Sequence, residues 1–132
     1  MEELYNYNFT DDDIKYMYEI NNEIINISSE EMLEKIKILQ NINCGEEQIK
    51  NIIVSNPFYL NRCNNDVLFL IKKIKEIGII SLNILFDSNP WLLNKDNFEI
   101  ENFIKSKQNE GFEMDEIVDM IDSNPYILDE LN

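Results

Sequence analysis

The side chains that could do chemistry in this chain are almost all carboxylates and lysines. Its 132 residues hold 26 Asp or Glu against 11 Lys or Arg, with no His, one Arg (Arg62) and two Cys (Cys44 and Cys63). A nucleophile needs a general base beside it, most often His, and no Gly-rich phosphate loop is present. Carboxylates can run acid–base chemistry as a matched pair, but no pair stands out. The acids crowd into what reads as the first turns of helices, where capping and the helix dipole account for them. The expectation is therefore a protein that is not an enzyme, with no cofactor and no metal. Two cysteines without His make neither a zinc site nor a disulfide framework. Cys44 falls in a core position. Cys63 sits just before a helix start, where a thiolate is favoured, but it reads as an ordinary cysteine.

The charge has a pattern. The net charge is −15, whereas a protein that neutralises phosphates is usually basic overall. Residues 1–34 hold ten acids and one Lys, residues 111–132 hold seven acids and no base, and residues 35–110 hold nine acids and ten bases. Asp11, Asp12 and Asp13 head one acidic cluster, with Glu2, Glu3, Glu30 and Glu31. Glu113, Asp115, Glu116, Asp119 and Asp122 make another, in which Asp115, Asp119 and Asp122 share a helix face at i, i+4, i+7. The expected function is an acidic protein-binding module whose partner is a protein with a basic surface. By size and charge the chain looks like a nucleic-acid mimic or inhibitor of the anti-CRISPR kind, encoded by phages or mobile elements. The alternative is direct nucleic-acid binding through lysines. Lys37, Lys72 and Lys105 occupy one repeat position, with Lys73, Lys75 and Lys107 beside it.

The elements that must position these groups are written by a recurring hexapeptide. Ser55-Asn56-Pro57-Phe58-Tyr59-Leu60 returns as Ser88-Asn89-Pro90-Trp91-Leu92-Leu93 and as Ser123-Asn124-Pro125-Tyr126-Ile127-Leu128. The spacing is that of a helical repeat. A helix stops at each Asn, because the residue before proline is pushed out of the α region. Each Pro then starts a short turn, where its missing N–H costs nothing. Val67, Leu70, Ile71, Ile74 and Ile77 mark a longer helix from about Asn64 to Ile77. Gly78 is a left-handed stop after it, and Gly111 matches Gly78.

Before the first proline, Thr10 with Asp13 opens one helix and Ser28 or Ser29 opens another. The second carries Met32, Leu33, Ile36, Leu39 and Ile42 inward, and Gly45 is expected to end it. Asn22 stands where a proline belongs, as in a diverged terminal repeat. The units run 10–43, 44–78, 79–111 and 112–132, the last a half repeat, within a single domain 1–132. Residues 1–9 read as a docked irregular tail. The aromatic tails are expected to pack between repeats, with Trp91 the strongest hot-spot candidate for a partner if a tail is exposed. Ile and Asn make up about a third of the chain, a bias that AT-rich codons would produce, so Asn residues carry little signal.

A helix ending in Asn-Pro, an apolar tail closing on Leu, then a longer amphipathic helix resembles the repeat of the mitochondrial transcription termination factor (mTERF) family. That repeat has apolar residues three after the Pro and then at steps of seven. Pro57 is followed by Leu60, Val67 and Ile74; Pro90 by Leu93 and Ile100, with Lys107 breaking the next step; Pro125 by Leu128. The resemblance covers about residues 44–132 and extends weakly to residue 10. It implies an all-α, right-handed helical-repeat solenoid of about 3.5 units with short 3₁₀ turns. It also implies nucleic-acid binding along a basic concave surface, through several more repeats than this chain has. No charged-then-apolar leader and no transmembrane-length run is visible. The expectation is a soluble, cytoplasmic protein, monomeric or a weak homodimer.

Overall fold

Local capping chemistry sets where most of the helices begin. Thr10 Oγ1 accepts a hydrogen bond from Asp13 N (3.1 Å) while Asp13 Oδ2 accepts one from Thr10 N (2.9 Å). The same reciprocal pairing joins Ser28 to Glu31 and Asp96 to Glu99. The computed structural model describes residues 1–131, with side chains through Asp129; Asn132, in the expected last unit, lies outside them. The described helices are α1 (Glu2–Tyr5), α2 (Asp11–Ile20), α3 (Ser29–Asn41), α4 (Glu46–Ser55), α5 (Asn64–Glu76), α6 (Leu82–Ser88), α7 (Asn97–Asn109) and α8 (Met114–Ser123). Short 3₁₀ turns at Asn22–Asn26, Pro57–Asn61, Pro90–Asn94 and Pro125–Leu131 follow α2, α4, α6 and α8. The described residues form no strand, so the fold is all-α. Asn22 opens a 3₁₀ turn without proline, so the first unit has the same plan as the others.

The arrangement is two rows. The shorter helices α2, α4 and α6 pack side by side, and α8 follows. The longer helices α3, α5 and α7, 13 residues each, form the other row. Each long helix packs on the next short one: α3 on α4, α5 on α6, α7 on α8. The core between the rows is built from the expected positions, including Ile49, Ile52, Ile53, Val67, Leu70, Ile71, Leu82, Leu85, Phe86, Ile100, Phe103, Ile117 and Ile121. Residues 1–9 do dock, through Leu4 and Phe9, but as a helical turn.

Three expectations are corrected here. Gly45 does not end α3. It is the N-cap of α4, in extended backbone (φ −80°), and Asn43 (φ 71°) takes the left-handed position that Gly78 (φ 109°) and Gly111 (φ 98°) hold one and two repeats later. Asn tolerates that region better than other residues with a Cβ. Leu33 faces solvent, as does Leu68 at the matching position of α5. The aromatic tails are split. Tyr59, Leu60, Leu92, Leu93 and Leu128 are buried, but the residue directly after each proline points out: Phe58, Trp91 (47% exposed) and Tyr126. A 3₁₀ turn has three residues per turn, so only part of a Pro-aromatic-apolar-Leu run can face the core.

Thr10→Ala lowers unfolding stability by about 1 kcal/mol, the usual cost of a lost N-cap, readable by urea denaturation. The Thr10 N–H, and after it the Thr10 hydroxyl and Lys50, hold the Asp13 carboxyl below its ordinary value against slight desolvation. Its contribution is therefore complete above the ordinary carboxylate range and is lost as pH falls through the depressed value. Asp13→Asn removes that part of the acid sensitivity.

Candidate functional site

The fold sorts the charge by row. The short helices α2, α4, α6 and α8 hold eleven acids and two lysines, whereas the long helices α3, α5 and α7 hold seven acids and seven lysines. The strong negative charge is thus concentrated away from the long helices, which are neutral in sum.

Lys37, Lys72 and Lys105 are exposed on α3, α5 and α7, one per long helix, and none is in an ion pair among the described residues. Lys75 is exposed and unpaired in the same sense. The other lysines of the two rows and their turns are engaged, Lys15 excepted. Lys73 pairs with Glu101 (3.4 Å), Lys107 with Glu110 (3.2 Å), Lys95 with Asp129 (3.1 Å) and Lys50 with Asp13 (3.4 Å). Lys35 is buried; its Nζ donates to Asn64 Oδ1 and lies 5.9 Å from the centre of the Tyr59 ring. Burial lowers its pKa, with Glu31, Cys63 and Glu34 opposing. Among the described residues the free lysines are therefore the three equivalent ones, Lys75 and, on the acidic row, Lys15.

The acidic candidates divide between structure and surface. Asp13 is consumed by its cap and by Lys50. Asp11 accepts from the Tyr5 hydroxyl (2.6 Å). Glu116 Oε1 accepts from Glu113 N (3.0 Å) and Asp115 Oδ1 from Glu116 N (3.1 Å), both at the start of α8. Asp12, Asp119 and Asp122 remain as exposed carboxylates on helix faces. The two acidic clusters are not brought together, because α2 and α8 stand at opposite ends of their row. Beside Asp122 an open groove of about 560 Å³ is lined by Ile80, Ile84, Leu85 and Pro125 among others.

Sequence reasoning missed the buried asparagines. Asn56 is fully buried. Its Nδ2 donates to the Pro90 carbonyl (3.0 Å) and to Asn94 Oδ1 (3.1 Å), and Asn94 Nδ2 donates back to Asn56 Oδ1 (3.0 Å). Asn21 Nδ2 does the same to the Pro57 carbonyl (3.3 Å) and Asn61 Oδ1 (2.6 Å). Asn89 Nδ2 reaches the Pro125 carbonyl (3.2 Å) and Asp129 Oδ2 (3.4 Å). Asn21, Asn56 and Asn89, at the ends of α2, α4 and α6, therefore each clamp the 3₁₀ turn of the next unit. Arg62 adds a cross-unit bond to the Leu93 carbonyl. The signal was the Asn before each Pro, but nothing in one sequence says that its side chain reaches the next unit.

Trp91 rests against Phe58, ring centres 5.7 Å apart and planes tilted by 50°, so the exposed tails form a short aromatic patch. Cys44 is buried, and burial pushes its thiol up to about 12, as a small core residue should behave. Cys63 is exposed. A maleimide reagent added to the native protein therefore modifies one thiol promptly and the second only on unfolding. Prompt labelling of both would contradict this placement.

Among the described residues no helix is long and apolar enough to cross a membrane. The sequence model of the mTERF family matches residues 1–130. No curated protein and no solved structure matches.

Proposed function

Because the chain belongs to the mTERF family, we propose that it is a helical-repeat protein that binds nucleic acid, without catalysis, through the lysine row of its long helices. The observation that carries this reading is the equivalence of Lys37, Lys72 and Lys105. Three free ammonium groups recur once per unit on the successive long helices, and a regular cation row matches the regular charge of a phosphate backbone. The acidic row then faces away from the ligand and limits affinity, which makes binding strongly dependent on salt. Net charge alone favours the acidic ends as the site, but it averages over two unlike faces. An electrophoretic shift with a mixed-sequence oligonucleotide at low salt tests the proposal. Binding is expected, and no shift even at the lowest salt would defeat it.

A second reading keeps the acidic row as a protein-docking face built from Asp11, Asp12, Asp13, Glu113, Asp115, Glu116, Asp119 and Asp122. The groove lined by Ile80 and Ile84 beside Asp122 favours it, since an apolar trough edged by a carboxylate suits a basic amphipathic segment. Inhibition or mimicry of nucleic acid would be a special case of that docking. Asp115→Asn, Asp119→Asn and Asp122→Asn together should weaken a basic protein partner, whereas they should strengthen nucleic-acid binding if the lysine row is the site.

A further inference from the structure

Side chains tie the short helices together at one junction and not at the next. Ile49, Leu82 and Ile117 hold one position of the repeat on α4, α6 and α8. Two residues after Ile49, Asn51 reaches across to α6, where its Nδ2 donates to the Asp87 carbonyl (3.1 Å) and to Asp87 Oδ1 (2.8 Å). In return Asn83 Nδ2 of α6 donates to Gln48 Oε1 (3.3 Å). One unit later, Ile84 stands for Asn51, Asp122 for Asp87, Val118 for Asn83 and Ser81 for Gln48. Ile84 and Val118 have no side-chain donor, and neither bond has a counterpart between α6 and α8 among the described residues. Accordingly α4 and α6 pack directly, whereas α6 meets the 3₁₀ turn after α8 more closely than it meets α8 itself.

The junction left open is the groove of about 560 Å³, whose lining includes Ile80, Ile84, Leu85, Ser88, Asp122 and Pro125. Ile80 is 90% exposed and Ile84 58%. The units on either side have Glu47 and Asp115 at the position of Ile80, and Asn51 and Asp119 at that of Ile84. Single exposed apolar residues are ordinary on a surface. Two in one groove, each at a position that is polar in both neighbouring units, are not explained by the repeat.

Charge selects the occupant. The Asp122 carboxylate is exposed and makes no hydrogen bond or ion pair among the described residues, whereas its counterpart Asp87 receives the Asn51 amide. Together α6 and α8 carry Asp87, Asp115, Glu116, Asp119 and Asp122 and no base. Such a field repels a nucleic acid, and a second copy of the chain would bring a net charge of −15 of its own. What fits is an apolar surface that carries a cation. We infer that the groove between α6 and α8 receives an amphipathic helix of a basic partner protein. Its apolar side chains rest on Ile80 and Ile84, and one arginine or lysine meets Asp122, taking the place that the Asn51 amide holds against Asp87. Laying the apolar face of a helix into a groove is a recurrent mode of recognition. The site lies on the short-helix row, so it leaves the lysine row free and goes beyond the nucleic-acid reading; it rests on the acidic docking face.

The test uses a fluorescently labelled helical peptide of leucine and arginine with its leucines on one face, and a scrambled peptide of the same composition with its leucines spread around the helix. Each is titrated with the full chain, and the anisotropy is followed. The amphipathic peptide should bind more tightly than the scrambled one. Ile84→Asn, which restores the missing donor, is combined with Ile80→Gln; the net charge is unchanged. This double variant should weaken the amphipathic peptide by about tenfold or more, as loss of a central apolar contact does, and leave the scrambled peptide unaffected. Both side chains are exposed, so the urea midpoint should not fall. If the double variant binds the amphipathic peptide as the wild type does, while Asp115→Asn, Asp119→Asn and Asp122→Asn together weaken it, the groove is overturned and the acidic docking face stands. Equal binding of the two peptides by the wild type would also overturn the groove. No binding of either peptide would overturn both. A wild-type dimer in sedimentation that the double variant abolishes would make a second copy the occupant and overturn the basic partner.

Discussion

Asn56→Ala lowers unfolding stability by about 3 kcal/mol, the cost of leaving buried polar groups without partners. The substitution strands the Pro90 carbonyl and the Asn94 amide, which Asn56 now satisfies at 3.0–3.1 Å. Asn65→Ala, at an exposed position of α5, should change stability by less than about 0.5 kcal/mol. Urea denaturation of both variants gives the comparison. Adding Asn94→Ala to Asn56→Ala should cost less than the two single losses together, because residues in one hydrogen-bond pair are not additive. Equal effects of Asn56→Ala and Asn65→Ala would mean that the asparagine clamp contributes nothing to holding the units together.

The second large effect is on binding. Lys37→Gln, Lys72→Gln and Lys105→Gln together should reduce the slope of log affinity against log salt by about 2, since each phosphate of a single strand left without its lysine takes away roughly 0.7. Stability should not fall, since all three side chains are exposed and none is in an ion pair among the described residues. Replacing Lys73 or Lys107 is a useful contrast. Each already meets a carboxylate, Glu101 or Glu110, so either change should alter the slope much less. A triple variant that binds with the wild-type slope would remove the lysine row from the account.

Local rules were legible wherever the partner was local. Thr10 with Asp13, Ser28 with Glu31 and each Asn-Pro break depend on neighbours within a few residues, and the structure has them in place. Most of the matched apolar positions of successive units also form one core, as their periodicity implied, with Leu33 and Leu68 facing solvent instead. What stayed hidden depends on distance or on geometry finer than polarity. The partners of Asn21, Asn56 and Asn89 lie 34–40 residues away, and a chain rich in Asn gives no reason to pick those three out. Trp91 and Phe58 read as packing between repeats because they recur regularly beside the core, yet the 3₁₀ geometry turns them outward while Tyr59 and Leu92 go in. The candidate site was half visible. The lysine spacing could be read directly, but its importance was masked by a net charge that the two helix rows divide unequally.

The most direct test of the lysine face is to map backbone amide chemical shifts of the labelled protein during titration with a single-stranded oligonucleotide at low salt. Perturbations should follow the exposed positions of α3, α5 and α7, centred on Lys37, Lys72 and Lys105, and α2 and α8 should be unaffected. Perturbations centred on α2 and α8, or none at any concentration, would contradict it.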